Sequence, residues 1–269
     1  VKEVPAKIKD KGTWHVSKIG LGDTSILLSA PLNREISFKS IEDIEERKNI
    51  LAISLKQNPP VTYWVASVPK VMLIIKRLIL MNCNAYRLNA YFMSPAIRGG
   101  VLINDAKWEK GTIAVLKSGI WFVNQQKQIC VPIQDVSNIE QTKREVNGKP
   151  TEVVKIDHVQ SGDVLTNFVL CPVTTLQVLF NFLKDATKDS EMQGNELDGM
   201  SAQVAMLVYS GMDSKAIVNI LQISNKQLEA VYDSLLDLGI VEVTRIHREV
   251  NLTTKGVRFV TDASKSPNN

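Results

Sequence analysis

The stretch ISFKSIEDIEE, Ile36 to Glu46, returns in altered form as VPIQDVSNIEQ, Val131 to Gln141, about 95 residues further along the chain. Ile36 answers Val131, Phe38 answers Ile133, Ile41 answers Val136, and Ile44-Glu45 answers Ile139-Glu140. Self-similarity of this kind marks a duplicated supersecondary unit, because each copy has to bury the same positions in the same way. The flanks keep step. Upstream, Ser25 to Leu28 corresponds to Gly119 to Phe122, and downstream Val61 to Val65 corresponds to Leu165 to Val169. Each copy then meets a proline, Pro69 or Pro172, and enters an apolar stretch. That stretch is Val71 to Leu80 in the first copy; in the second, Leu176, Leu179, Phe180 and Leu183 stand at helical spacing.

Inside each copy the apolar runs are short, β-branched and bounded by turn residues. Asn147-Gly148, set between Glu145-Val146 and Glu152 to Val154, predicts a hairpin, since both turn residues tolerate positive φ. Several short antiparallel strands followed by one amphipathic helix is the order of a small β-barrel plugged by its C-terminal helix. That order resembles the pleckstrin-homology superfold, here in tandem. The fold class expected is α+β, with pleckstrin-homology-like barrel repeats at residues 1–100 and 101–187. Arg98-Gly99-Gly100 is read as the turn between them.

Past Lys184 the style changes. Residues 188–196 are polar and lack periodicity, which predicts a linker. A first helix follows over Ser201 to Tyr209, capped by Ser201 and closed at Gly211. Asp213 caps a second, Ser214 to Leu221, and Ser224 caps a third that runs to Leu238 with Gly239 as its stop. Ile240 to Arg245 and Glu249 to Leu252 alternate as two strands of a wing. Helix, short helix, longer helix and β-wing is the order of a winged helix-turn-helix domain, placed at residues 197–262. The tail at 263–269 is polar and expected to be disordered.

A winged helix suggests DNA, but the charge opposes it. In readers of this type the third helix enters the major groove. Spacing turns Leu228, Val231 and Leu235 inward and leaves Lys226, Glu229, Ala230, Asp233 and Asp237 outward. One cation against three carboxylates is repelled by phosphates, so the counterion release that drives DNA affinity is lost. Arg245 and Arg248 on the wing permit weak phosphate contact without offsetting that sign. Specific nucleic-acid binding is not expected, and a winged-helix transcriptional regulator is kept as the alternative reading.

Composition excludes more than it selects. With 44% hydrophobic and 22% charged residues the chain is an ordinary folded protein, and its net charge of +4 is too small and too spread to name a partner. Cys83, Cys130 and Cys171 form no C-x-x-C pair, and His15, His158 and His247 show no ligand spacing, so neither a metal nor a cofactor is expected. The most apolar segment, Val71 to Met81, is interrupted by Lys76-Arg77 and too short to cross a bilayer, so no integral membrane segment is expected. The chain starts without methionine or a signal-peptide pattern, which reads as a trimmed, cytoplasmic protein. No phosphate-binding loop, dinucleotide fingerprint, nucleophile elbow or zincin helix occurs, so no catalytic residue is nominated and the chain is read as not an enzyme. The carboxylate run at Glu42 to Glu46 is read as a solvated strand end or turn. Lys7, Lys9, Lys11 and Lys18 surround the first hairpin, where membrane-binding pleckstrin-homology domains hold lipid headgroups; their diffuse pattern is read as solvated lysines in preference to a lipid site, and a membrane-tethered scaffold stays as a further alternative.

Tandem repeats followed by a winged helix with an acidic third helix resemble the archaeal taxis protein CheF family. The resemblance runs from about Lys7 to Val260 and rests on order and pattern, since no single short motif is diagnostic. It implies a chemotaxis adaptor that links the phosphorylated response regulator CheY to the switch complex of the archaellum motor. A homodimer is compatible with that role. The resemblance carries over no binding residues. Physical reasoning alone nominates Lys226, Glu229, Asp233 and Asp237 as a charged docking face, Tyr232 and Leu236 as apolar anchors, and Arg245 and Arg248 on the wing.

Overall fold

A computed structural model describes residues 2–188 and 197–243. The chain divides into two units, Val1–Met192 and Gln193–Asn269. The first unit begins with β1 (Lys2–Asp10), β2 (Thr13–Leu21), β3 (Ser25–Leu28) and β4 (Arg34–Ser37). A single 3-10 turn, Phe38–Ser40, leads into β5 (Ile41–Arg47), β6 (Ile50–Leu55), β7 (Val61–Ala66) and helix α1 (Pro69–Asn82). The strands make one antiparallel sheet in the order β4-β3-β2-β1-β7-β6-β5.

The second copy repeats this plan strand for strand. Its elements are β8 (Tyr86–Arg98), β9 (Val101–Leu102), β10 (Glu109–Val115), β11 (Gly119–Val123), β12 (Gln128–Pro132), a 3-10 turn at Ile133–Asp135, β13 (Val136–Val146), β14 (Lys149–Gln160), β15 (Asp163–Leu170) and α2 (Val173–Thr187). The order is β12-β11-β10-β8-β15-β14-β13, with β9 folded back on β8. The repeat read from sequence holds in detail. Phe38 and Ile133 each open the 3-10 turn, Ile41 and Val136 each open the next strand, and both ladders slip at the same point, after Ile41 and after Val136.

Closed barrels were expected, and both sheets are open instead. No ladder joins β4 to β5 or β12 to β13 among the described residues. The reason lies in the connection. These end strands are consecutive in the chain, and the 3-10 turn between them extends neither ladder: single backbone bonds, from the Phe38 amide to the Thr24 carbonyl and from the Lys56 amide to the Ser40 carbonyl, hold the first corner together with buried side chains. Phe38 and Ile41 are both buried there, with α1 packed against the turn. The expected boundary at residue 100 also differs from the sheet assignment, because β8 pairs with β10 and β15 and so belongs to the second sheet from Tyr86 onward. Gly99 and Gly100, both with positive φ, turn β8 into β9 inside that sheet.

Each sheet buries alternate residues against its own helix, as a one-sided sheet should. Met72, Ile75, Ile79 and Leu80 of α1 meet Ile8, Ile19, Ile26, Ile44, Ile53 and Val65, and Leu176, Leu179 and Leu183 of α2 meet Ile113, Phe122, Val154 and Val169. The hairpin β10–β11 departs from alternation. Ile113, Val115, Ile120 and Phe122 enter the second core, whereas Ala114, Leu116, Trp121 and Val123 enter the first. A strand buried on both faces reads as a continuous apolar run, and GIWFV is one. The outer face of the second sheet carries a further cluster, in which Ala96, Val153 and Phe168 pack with Met93, Ile97, Trp108 and Leu170.

The second unit contains α3 (Gly199–Tyr209), α4 (Ser214–Leu221) and α5 (Asn225–Asp237) around Val204, Ile217, Leu228 and Leu235. The cap of α3 is Asp198 rather than Ser201: its carboxylate accepts from the amides of Met200 and Ser201 and from the Ser201 hydroxyl, and this starts the helix at Gly199. Asp213 and Ser224 cap α4 and α5, the latter with a capping box to Gln227. Residues 241–243 carry no regular structure. The wing from residue 244, the linker from residue 189 and the tail at 263–269 lie outside the described residues. Among those described, no helix is long and apolar enough to cross a membrane.

Candidate protein-docking surface

Helix α5 is fixed from both ends and from below. Its capping box satisfies the first-turn amides, Gly239 at positive φ ends it, and Leu228 and Leu235, seven residues apart, anchor it in the core. Anchoring one face fixes what the other presents. Glu229, Asp233 and Asp237, spaced four apart, form one exposed stripe, with Lys226 exposed a turn before Glu229. Tyr232 lies half-buried against the core, and its hydroxyl is 3.1 Å from that of Ser214. Leu236 is half-buried beside it. The four charged residues thus come together, while Tyr232 is partly engaged in holding α4 to α5. Arg245 and Arg248 lie outside the described residues.

A polar junction in the first unit escaped the sequence reading. The run at Glu42 to Glu46 is not a uniformly solvated strand end. Asp43 is buried, and its Oδ1 accepts from the Ser118 hydroxyl at 2.9 Å and from the amides of Ile44 and Ser118 at 3.0 and 3.3 Å. Burial raises its pKa above the usual carboxylate range, against the opposing pull of those hydrogen bonds. Glu46 Oε2 stands 2.6 Å from Nζ of Lys76, which is buried in α1 and 5.9 Å from the Trp121 ring. Burial pushes the nearby Cys130 thiol up to about 12. These contacts tie β5 and α1 of the first repeat to the β10–β11 turn of the second. Nothing local in the sequence marks them, because each partner is remote in the chain.

The second sheet holds another buried network. The Ser94 hydroxyl donates to Asn167 Oδ1 at 2.8 Å, and Asn167 Nδ2 donates to the Ile156 carbonyl at 3.1 Å and lies 3.0 Å from His158 Nδ1. Burial lowers the pKa of His158. This arrangement satisfies a fully buried amide, and it aligns no nucleophile with a base. Among the described residues, no group of three or more His, Cys, Asp or Glu gathers to hold a metal ion.

Comparison with known proteins supplies the context for these surfaces. A family described as Archaeal Chemotaxis signal transduction system protein F matches residues 3–189, and a domain of unknown function matches residues 196–265. Taxis protein CheF1 of Halobacterium salinarum is 29% identical over 173 residues, covering 63% of this chain and 58% of that protein. Taxis protein CheF2 of the same organism is 24% identical over 179 residues, covering 64% and 58%. The chain therefore spans less than two thirds of the length of either relative. The family match takes in both sheets and both of their helices, well over half of the sequence, and so the chain belongs to the archaeal chemotaxis signal transduction system protein F family.

Proposed function

We propose that this chain is a non-enzymatic chemotaxis adaptor that couples the phosphorylated response regulator CheY to the switch complex of the archaellum motor. The observation that carries the reading is the family match over both repeats. In the same reading the repeats are pleckstrin-homology-like, residues 197–262 form a winged helix, and the response regulator docks on α5. A capped helix anchored on its inner face loses little entropy on binding. Glu229, Asp233 and Asp237 would meet cations on the partner, with Leu236 as an apolar edge. The acidic stripe disfavours the DNA-binding alternative, because a groove-facing helix of this charge is repelled by phosphates.

Titration calorimetry of the full chain carrying Glu229→Lys and Asp233→Lys against phosphorylated CheY tests the docking face. Both residues are exposed, so thermal melting should be unchanged while affinity falls at least tenfold. Unchanged affinity in a folded variant removes α5 as the docking site.

A further inference from the structure

Among the described residues, the outer face of the first sheet carries an uncovered aromatic and basic patch. Two rows of outward side chains cross β2, β1, β7 and β6. Lys9 is opposite Trp14 on β2 and lies 5.9 Å from the Trp64 ring on β7, and Trp64 is opposite Ala52 on β6. Lys7 is opposite Val16 and Ala66, and Ala66 is opposite Ile50. Trp14 is 36% exposed, Trp64 41% and Val16 87%. Within these four strands the rows contain no carboxylate, amide or hydroxyl side chain; on β5 the first row ends at Glu45 and the second at Arg47, 3.9 Å apart. Glu3, further along β1, is engaged by Lys18 at 2.9 Å. Lys11 stands exposed in the β1–β2 turn at the end of the first row.

The duplication shows what is unusual here. Trp64 holds the place that Phe168 holds in the second repeat. Phe168 is 2% exposed, packed with Trp108 and capped by Arg144 at 4.5 Å. Arg144 comes from β13, and Trp108 from the long connection between β8 and β10, which also carries β9. The matching connection in the first repeat is only Lys11-Gly12. The same sheet face is thus closed by its own chain in one copy and left open in the other, among the described residues.

We propose that this open face docks peripherally on an anionic lipid bilayer, with Trp14 and Trp64 at the headgroup level and Lys7, Lys9 and Lys11 against lipid phosphates. Charge complementarity selects an anionic partner. Tryptophan and lysine side by side fit a bilayer interface, because the ring spans the apolar and wet layers while the amine reaches the headgroups. This site uses no residue of α5 and does not depend on the adaptor reading.

Co-sedimentation of the full chain tests it, using vesicles of phosphatidylcholine alone and of phosphatidylcholine with phosphatidylglycerol. The chain should pellet only with the anionic vesicles, and added salt should release it. Replacing Lys7 and Lys9 with Gln should weaken the partition about fivefold per lysine, about 25-fold together. Trp14→Ala with Trp64→Ala should also release it and remove the blue shift of tryptophan emission that vesicles produce. Far-ultraviolet circular dichroism checks that each variant stays folded. The Glu229→Lys, Asp233→Lys variant should still pellet, which separates this result from the fate of the adaptor reading. A folded wild-type chain that ignores anionic vesicles overturns the proposal. So does equal binding to neutral vesicles, or a tryptophan variant that loses phosphorylated CheY while the wild type ignores vesicles.

Discussion

Replacing Glu46 with Gln should destabilise the first unit far more than its surface position suggests. Lys76 Nζ lies 2.6 Å from Glu46 Oε2, with the lysine side chain 6% exposed and the glutamate 29%. Removing the carboxylate leaves an ammonium group buried on α1 and facing the Trp121 ring, 5.9 Å away. Stranding a buried charge in this way costs about 3–5 kcal/mol, and the partial exposure of Glu46 places this case near about 3 kcal/mol. For a unit of this size that lowers the melting temperature by about 6–12 °C. The reverse substitution, Lys76→Met, keeps the stem volume and leaves a carboxylate that can turn to water, so it should cost less than about 1 kcal/mol. The double variant should therefore recover most of the stability lost in Glu46→Gln. Urea unfolding of the four proteins, followed by tryptophan emission, measures the cycle. If Glu46→Gln costs as little as an exposed pair, or Lys76→Met costs more than Glu46→Gln, the pair is not held as the geometry indicates.

Two further outcomes follow from the same junction. Because burial holds the folded-state pKa of Asp43 above its unfolded value, its contribution is full below about pH 4 and is lost as pH rises through the raised value. Asp43→Asn, whose amide oxygen can accept the same bonds, should therefore gain on the wild type as pH climbs from about 4 towards neutrality; parallel stability profiles against pH would refute this. Cys130, held at about 12 chiefly by burial, should resist iodoacetamide at pH 8 in the folded protein and react once urea opens the first unit, as mass spectrometry of tryptic peptides would report.

The duplicated plan was legible because it is written in local pattern. Phe38 and Ile133, Ile41 and Val136, and the flanking runs occupy equivalent structural positions, and alternation along a strand is visible without knowing its neighbours. What sequence misread depends on partners remote in the chain. Arg98-Gly99-Gly100 has the chemistry of a turn, and that chemistry is the same within a sheet as between domains. Closure of a sheet depends on whether its end strands pair, and the 3-10 corner at Phe38 that prevents it carries no special signature. The exposed stripe of α5 was legible because helical spacing and one anchored face determine it. Tyr232 was not, since its hydroxyl meets Ser214 on a different helix. Asp43 and Lys76 look like ordinary surface charges until Ser118 and Glu46 are brought to them.

The double-sided hairpin β10–β11 has a consequence for synthesis of the chain. When Cys83 has left the ribosome, every strand of the first sheet and all of α1 are available, yet one wall of their core is missing. That wall is Ala114, Leu116, Trp121 and Val123, the last of them 40 residues later. At ordinary translation rates of about 5–20 residues per second, the nascent first repeat waits about 2–8 s with apolar surface uncovered. The duplicated halves therefore mature as one object, the earlier half being finished by the later.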